Sequence, residues 1–158
     1  MDTQTTLQTA SDLLKPWALE FKTPEADRVD VYIESANLIP AVQALLDHHW
    51  GYLSAITGLD VPPTADHEGA VEVLYHFCQD AAITTLRLKV PYSNASVPSV
   101  CSLIPSVTLY ERELMEMYGV EVLGTPNTDR LLLPDDWPKG VYPMRKSFTG
   151  LDQLTEEK

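Results

Sequence analysis

The sequence predicts an α+β domain: one mixed β-sheet packed by helices, continued by a C-terminal proline-rich extended arm. Three observations carry this. Apolar and polar residues alternate in several short segments before residue 91, the pattern of half-buried strands. An apolar stripe of helical period follows over 107–118. Beyond Gly119 neither period persists, and the segment from Gly124 to Phe148 contains four prolines. The expected division is a domain over 1–123, with 124–158 as docking arm and tail of the same unit. The length of 158 residues suits one domain with a real core.

The elements follow in order. "SDLLKPWALEF" reads as a short helix, with Ser11 as its cap and Pro16 as its limit. "RVDVYIES" alternates Val29, Val31 and Ile33 with Asp30, Tyr32 and Glu34, a half-buried strand. In "ANLIPAVQALLDHHW", Asn37 can cap a helix whose face holds Leu38, Val42, Leu45, Leu46 and His49. "GYLSAITGLDV" is apolar and β-branched between Gly51 and Pro62, and reads as a buried strand. "AVEVLYHFCQD" puts Val71, Val73, Tyr75 and Phe77 on one face. "AAITTLRLKVPY" turns Leu86, Leu88 and Val90 inward and Arg87 and Lys89 outward. With only Asp80 and its neighbours between them, these two form an antiparallel hairpin. "SNASVPSVCSLIPS" reads as a loop with one helical turn, and "TGLDQLTEEK" as a frayed tail.

Composition limits the function. The net charge is −12, with nine acids against three bases in residues 1–60. Such a surface argues against nucleic acid and anionic membrane as direct partners. Residues 107–146 are nearly balanced, with seven acids and five bases, and are the expected site of a protein partner. Cys78 and Cys101 are too few for an iron–sulfur cluster, which takes about four thiolates, and they have no zinc spacing. They read as reduced thiols. His48 and His49 end a helix, where positive charge is favoured. His67 falls in a loop. His76 shares a strand face with Cys78, a pair still short of a metal-ligand set. The first residues lack the basic start and apolar run of a signal peptide, and no segment approaches the ~18–20 apolar residues of a membrane span.

The segment "VTLYERELMEMYGVEV" concentrates the ionisable groups. At about 100° per residue, Val107, Tyr110, Leu114, Met117 and Tyr118 fall in one apolar arc. Arg112 and Glu116 lie opposite it at i,i+4, where they can pair. Glu113 lies at one edge of the arc and Glu111 inside the other. An acid in a packed edge needs a donor, and the expectation is that the arm folds back so that Glu111 pairs with Arg130 or Arg145. A catalytic acid–base pair of Glu111 and Glu113 is the rival reading. A di-metal site is not expected, because no histidine stands in an ExxH arrangement with Glu113 or Glu116.

"YERELMEMYGVEVLGTPNTDRLLLPDDW" resembles the signature of the thirty-kilodalton subunit of respiratory complex I, the C-type subunit of NADH-quinone oxidoreductase. The matching positions are Glu111, Arg112, Glu113, Glu116, Met117, Tyr118, Gly119, Arg130, Leu131 and Leu132. The family's closing Pro-Leu-Arg-Lys-Asp-Phe is similar to Pro143, Met144, Arg145, Lys146 and Phe148, with Ser147 in place of the aspartate. Gly124-Thr125-Pro126 stands where the family has Gly-His-Pro. The form "LLLPDDWPKGVYPMRK" also resembles the homologous subunit of energy-converting, membrane-bound [NiFe] hydrogenases and formate hydrogenlyase-type complexes.

The resemblance implies a non-catalytic scaffold subunit of a peripheral arm. No catalytic, cofactor-binding or metal-binding residues of its own are expected. Iron–sulfur clusters, and flavin or nickel–iron, would sit in other subunits. The implied partners are the large subunit of the forty-nine-kilodalton type (or the [NiFe] large subunit) and a small cluster-binding subunit. Membrane contact would come only through the complex, on its cytoplasmic side near the quinone module. The expected structural or interface residues are Glu111, Arg112, Glu113, Glu116, Gly119, Arg130, Trp137, Tyr142, Pro143, Arg145 and Lys146. Trp137, Tyr142 and Arg145 are the expected anchors on the neighbour.

Overall fold

A computed structural model describes residues 2–151. The tail expected at the end lies, from Asp152 onward, outside the described residues. A five-stranded mixed sheet dominates, in the order β1-β2-β5-β4-β3. Its strands are β1 (Ala18–Lys22), β2 (Arg28–Ile33), β3 (Tyr52–Val61), β4 (Ala70–Gln79) and β5 (Ala82–Pro91). All neighbours run antiparallel except β2 and β5, which pair in parallel with Val31 opposite Leu86. The β4–β5 hairpin turns at Asp80, whose φ of 52° is a left-handed conformation that a short polar side chain tolerates.

The alternation read from the sequence sets the inner face. Val29, Val31, Ile33, Val71, Val73, Tyr75, Phe77, Leu86, Leu88 and Val90 are all buried. Helix α1 (Thr3–Leu14) packs on β2 and β5, and α2 (Leu38–Asp47) packs against α1. Their buried stripes are Leu7, Ala10 and Leu14 on α1 and Leu38, Ala41, Val42 and Leu45 on α2. The indole of Trp50, after α2, donates to the Thr6 carbonyl of α1 and ties the two together.

The first helix is longer than expected. It starts at Thr3, where the Asp2 carboxylate accepts from the Thr5 N–H. Ser11 lies inside it and donates back to the Leu7 carbonyl, so it is not the cap. Asn37 makes no side-chain cap either; a short 3₁₀ turn over Ser35–Asn37 leads into α2. The strand expected to be buried at 51–61 is instead the sheet edge: in β3 only Ile56 and Asp60 are buried, and Tyr52 and Leu59 are exposed. Its β-branched run reflects pairing with β4 rather than enclosure. Strand β1 and a small parallel sheet of β6 (Ser96–Pro98) with β7 (Glu121–Leu123) were not expected. At three residues each, β6 and β7 are too short to show a period.

On the outer face Arg87 is not a free surface charge. It donates to Asp30 at 2.8 Å and through Nε to Glu72 at 3.1 Å, and it lies over the Tyr32 ring. This triad pins the parallel pair β2–β5 to β4 through side chains as well as through the ladder.

Candidate docking site

Helix α3 (Thr108–Tyr118) packs along edge strand β3. A 3₁₀ turn over Pro105–Val107 leads into it, and it ends at Gly119 with φ 69°, whose N–H bonds the Met115 carbonyl. Glycine fits both the left-handed backbone and the space: a Cβ there would stand 2.3 Å from the Tyr142 ring. Gly58 of β3 admits the Tyr118 ring in the same way, at 2.5 Å from the position of a Cβ. The Tyr110 hydroxyl donates to the Ser54 carbonyl, so α3 also satisfies part of the exposed edge of β3.

The four charged residues of α3 take four different routes. Glu111 is fully buried. It does not pair with Arg130 or Arg145, as the sequence led us to expect. Its carboxylate accepts from the Ser99 hydroxyl at 2.8 Å, the Val100 N–H at 2.8 Å and the Cys101 thiol at 3.1 Å. It thereby fixes the loop after β6 onto the helix. Burial pushes the Cys101 thiol up from its ordinary value; the Ser99 hydroxyl opposes this and Glu111 adds to it, so the thiol stays a donor. The phenol of Tyr75 is also pushed up, first by burial and then by the Glu111 charge.

Arg112 and Glu116 do not pair with each other either. Arg112 donates to the carbonyls of Asp129 at 2.8 Å and Arg130 at 2.7 Å. Glu116 accepts three successive backbone N–H groups, from Leu131, Leu132 and Leu133, at 3.2, 2.9 and 3.1 Å. The arm does fold back over the helix, held by backbone groups. Glu113 is exposed and has no hydrogen-bond or ion-pair partner among the described residues.

The arm is also tied to itself and to the sheet. Arg130 donates to the Trp137 carbonyl, and the Trp137 indole to the Val141 carbonyl, with its ring 6.0 Å from that of Phe148. Arg145 donates to the Tyr118 carbonyl at 2.7 Å, and its guanidinium stacks 4.2 Å from the Tyr92 ring and 5.4 Å from Tyr142. Around it, the Met144 N–H meets the Met117 carbonyl. Buried Asp60 accepts from the Tyr92 hydroxyl at 2.5 Å and from the Lys146 N–H at 2.9 Å. Pro143 is half-buried, and the Lys146 side chain is exposed. Trp137, Tyr142 and Arg145 thus make contacts within their own chain.

Asp60, Tyr92 and Ser99 were not anticipated. Asp60 had a signal: it stands at an inward position of its strand, in step with Ile56, where an acid must have a donor. The buried Glu111 and the exposed Glu113 point to different surroundings and form no acid–base pair. No group of three or more His, Cys, Asp or Glu among the described residues could hold a metal ion. No helix of the described residues is long and apolar enough to cross a membrane.

Residues 31–153 match the sequence model of the family described as "Respiratory-chain NADH dehydrogenase, 30 Kd subunit". Hydrogenase-4 component G of Escherichia coli (strain K12) is 34% identical over 128 residues, which are 80% of this chain and 22% of that protein. The chain therefore spans about a fifth of the length of that relative. An NADH-quinone oxidoreductase subunit of Roseiflexus castenholzii is 32% identical over 123 residues, 75% of this chain and 68% of the relative. The fold is shared with a chain of the membrane-bound sulfane sulfur reductase, an archaeal respiratory membrane complex. There the TM-score is 0.72 at 19% identity, covering 96% of this chain and 89% of the other. The match over most of the sequence, with the signature residues arranged around α3, establishes that this chain belongs to the family of the 30 Kd subunit of respiratory-chain NADH dehydrogenase.

Proposed function

We propose that this chain is a non-catalytic scaffold subunit in the peripheral arm of a complex I-like electron-transfer complex. It docks on the large subunit of the forty-nine-kilodalton type, near the quinone and cluster module. The observation that carries this is the use made of the signature charges. Glu111, Arg112, Glu116, Arg130 and Arg145 all bond backbone groups of their own chain. Glu111 fixes the loop after β6 onto α3, and the other four build a shaped, preformed arm. A preformed arm loses less conformational entropy on docking than a floppy one. Clusters and flavin would belong to other subunits, and the chain would sit peripherally on the cytoplasmic side of the membrane.

A second reading rests on a specific observation: a hydrogenase component is among its relatives at 34% identity. In that reading the chain holds the same position in an energy-converting [NiFe] hydrogenase or formate hydrogenlyase-type complex, against the [NiFe] large subunit.

The test is a mild-detergent purification of the tagged full chain with mass spectrometry of its companions. Co-purification with a large subunit of the forty-nine-kilodalton type and a small cluster-binding subunit is the expected result, and bound nickel selects the hydrogenase reading. A chain that purifies alone overturns both.

A further inference from the structure

Among the described residues, Glu113 is the one charge on α3 without a partner inside the chain, and its surroundings point to an occupant. It lies at the lip of a groove between α3 and β3, lined by Ile56, Tyr110, Leu114, Met117, Tyr118 and Met144. The groove holds ≈ 420 Å³. That is large enough for a small ligand, but such sites converge several polar groups on one point; here, among the described residues, Glu113 is the only charged residue in the lining, and the Tyr110 and Thr57 hydroxyls are engaged by Ser54 and His76. Met144, at its edge, is 54% exposed. Methionines give a surface that adapts to another chain, and methionine and tyrosine are enriched at protein interfaces. The Glu113 charge acts on the groove wall: the Tyr118 phenol is pushed up by burial first, then by Glu113 and Asp60.

We infer that this groove receives a short apolar segment of a partner protein that carries a lysine or arginine for Glu113. The inference rests on the scaffold reading and adds the surface and the chemistry of its partner. Charge decides among occupants. A second copy of this chain would bring another molecule of net charge −12 to an unpaired carboxylate. Residues 152–158 of the chain itself carry Asp152, Glu156 and Glu157 against Lys158 alone. A cationic segment gains where both of these lose.

The experiment places a photo-crosslinking phenylalanine derivative at Met144, or as a control at Leu132, which is 62% exposed on the arm. The full chain is expressed in its native host and the crosslinked peptides of the detergent-extracted complex are sequenced. The expected result is a crosslink from position 144 to a segment of another subunit with apolar residues beside a lysine or arginine. Glu113→Lys then lowers that crosslink about tenfold, and reversing the partner's cation to glutamate restores it. The inference is overturned by crosslinks from 144 only to a second copy or to residues 152–158. It is equally overturned by an unchanged yield in Glu113→Lys, by a failed restoration, or by a crosslink from Leu132 to another subunit with none from 144. If the chain is extracted alone and neither position reaches another subunit, the scaffold reading falls as well, which separates the two failures.

Discussion

Replacing Glu111 tests the claim that this carboxylate is a structural clasp. Glu111→Ala removes the acceptor of three donors in a fully buried site. The hydroxyl of Ser99 and the thiol of Cys101 can rotate toward other acceptors, but the Val100 N–H cannot. A buried donor left unpaired costs about 1–3 kcal/mol. The lost methylene adds about 1 kcal/mol. The sum, about 2–4 kcal/mol, is a large part of the roughly 5–15 kcal/mol that holds a domain folded. Glu111→Gln keeps an oxygen for the Val100 N–H and keeps the stem, so it should cost about 1 kcal/mol. The assay is urea unfolding followed by circular dichroism, with equal m-values checked across variants. Ser99→Ala should cost less in the Glu111→Ala background than in the native chain, because the bond it removes is already gone. A Glu111→Ala chain within about 0.5 kcal/mol of the native one, the range of inert surface changes, would refute the clasp. So would a glutamine variant as damaged as the alanine one.

Other substitutions separate the remaining contacts. Glu116→Ala should raise amide exchange at Leu131, Leu132 and Leu133 at least tenfold while leaving the global midpoint within about 1 kcal/mol, since the site is at the surface of the arm. Gly119→Ala should cost more than Gly124→Ala. Both glycines have positive φ, but only at 119 does a Cβ meet a ring, and ring displacement adds about 1–3 kcal/mol, read by thermal unfolding. Arg87→Met should destabilise by about 3–5 kcal/mol in urea, because it strands the largely buried carboxylates of Asp30 and Glu72. The His76 imidazole is held below its ordinary value of 6.5, chiefly by burial, with the opposing pull of Asp30 outweighed. The folded state then binds fewer protons than the unfolded one, so its contribution is complete above pH 6.5 and is lost as pH falls below it. Unfolding midpoints taken between about pH 7.5 and 5 should fall less steeply in His76→Gln, and equal slopes would contradict the assignment.

The legible part of this fold was the part with a period. Val71, Val73, Tyr75 and Phe77 repeat every second residue and face the core as read. Leu114 and Tyr110 repeat on a helix and face β3 as read. The partners of the charged groups were not legible, and the reason is chemical. A search for the donor to Glu111 finds Arg130 and Arg145, because cations are visible in a sequence. The actual donors include the N–H of Val100, which every residue but proline supplies and no letter announces. The same holds for Arg130 and Arg145, whose acceptors are the carbonyls of Trp137 and Tyr118. Strand β1 was missed because its five residues adjoin a proline-limited helix and include a register irregularity between Ala18 and Glu20, which breaks the alternation.

That bias toward backbone partners also explains how a segment with little regular secondary structure keeps its shape. An ion pair between two long exposed side chains contributes about 0–1 kcal/mol and fixes little geometry. A carboxylate gripping three consecutive N–H groups, as Glu116 does, fixes the backbone of those residues directly. Arg112 does the same from the carbonyl side at Asp129 and Arg130, the two residues just before. One turn of α3 therefore specifies the path of Asp129–Leu133 with two side chains, whatever side chains that stretch carries. Leu132, exposed at its tip, is then held in a fixed position by bonds to its backbone alone. The Leu132 side chain takes no part in holding that path, while Arg112 and Glu116 hold the shape on which it is displayed.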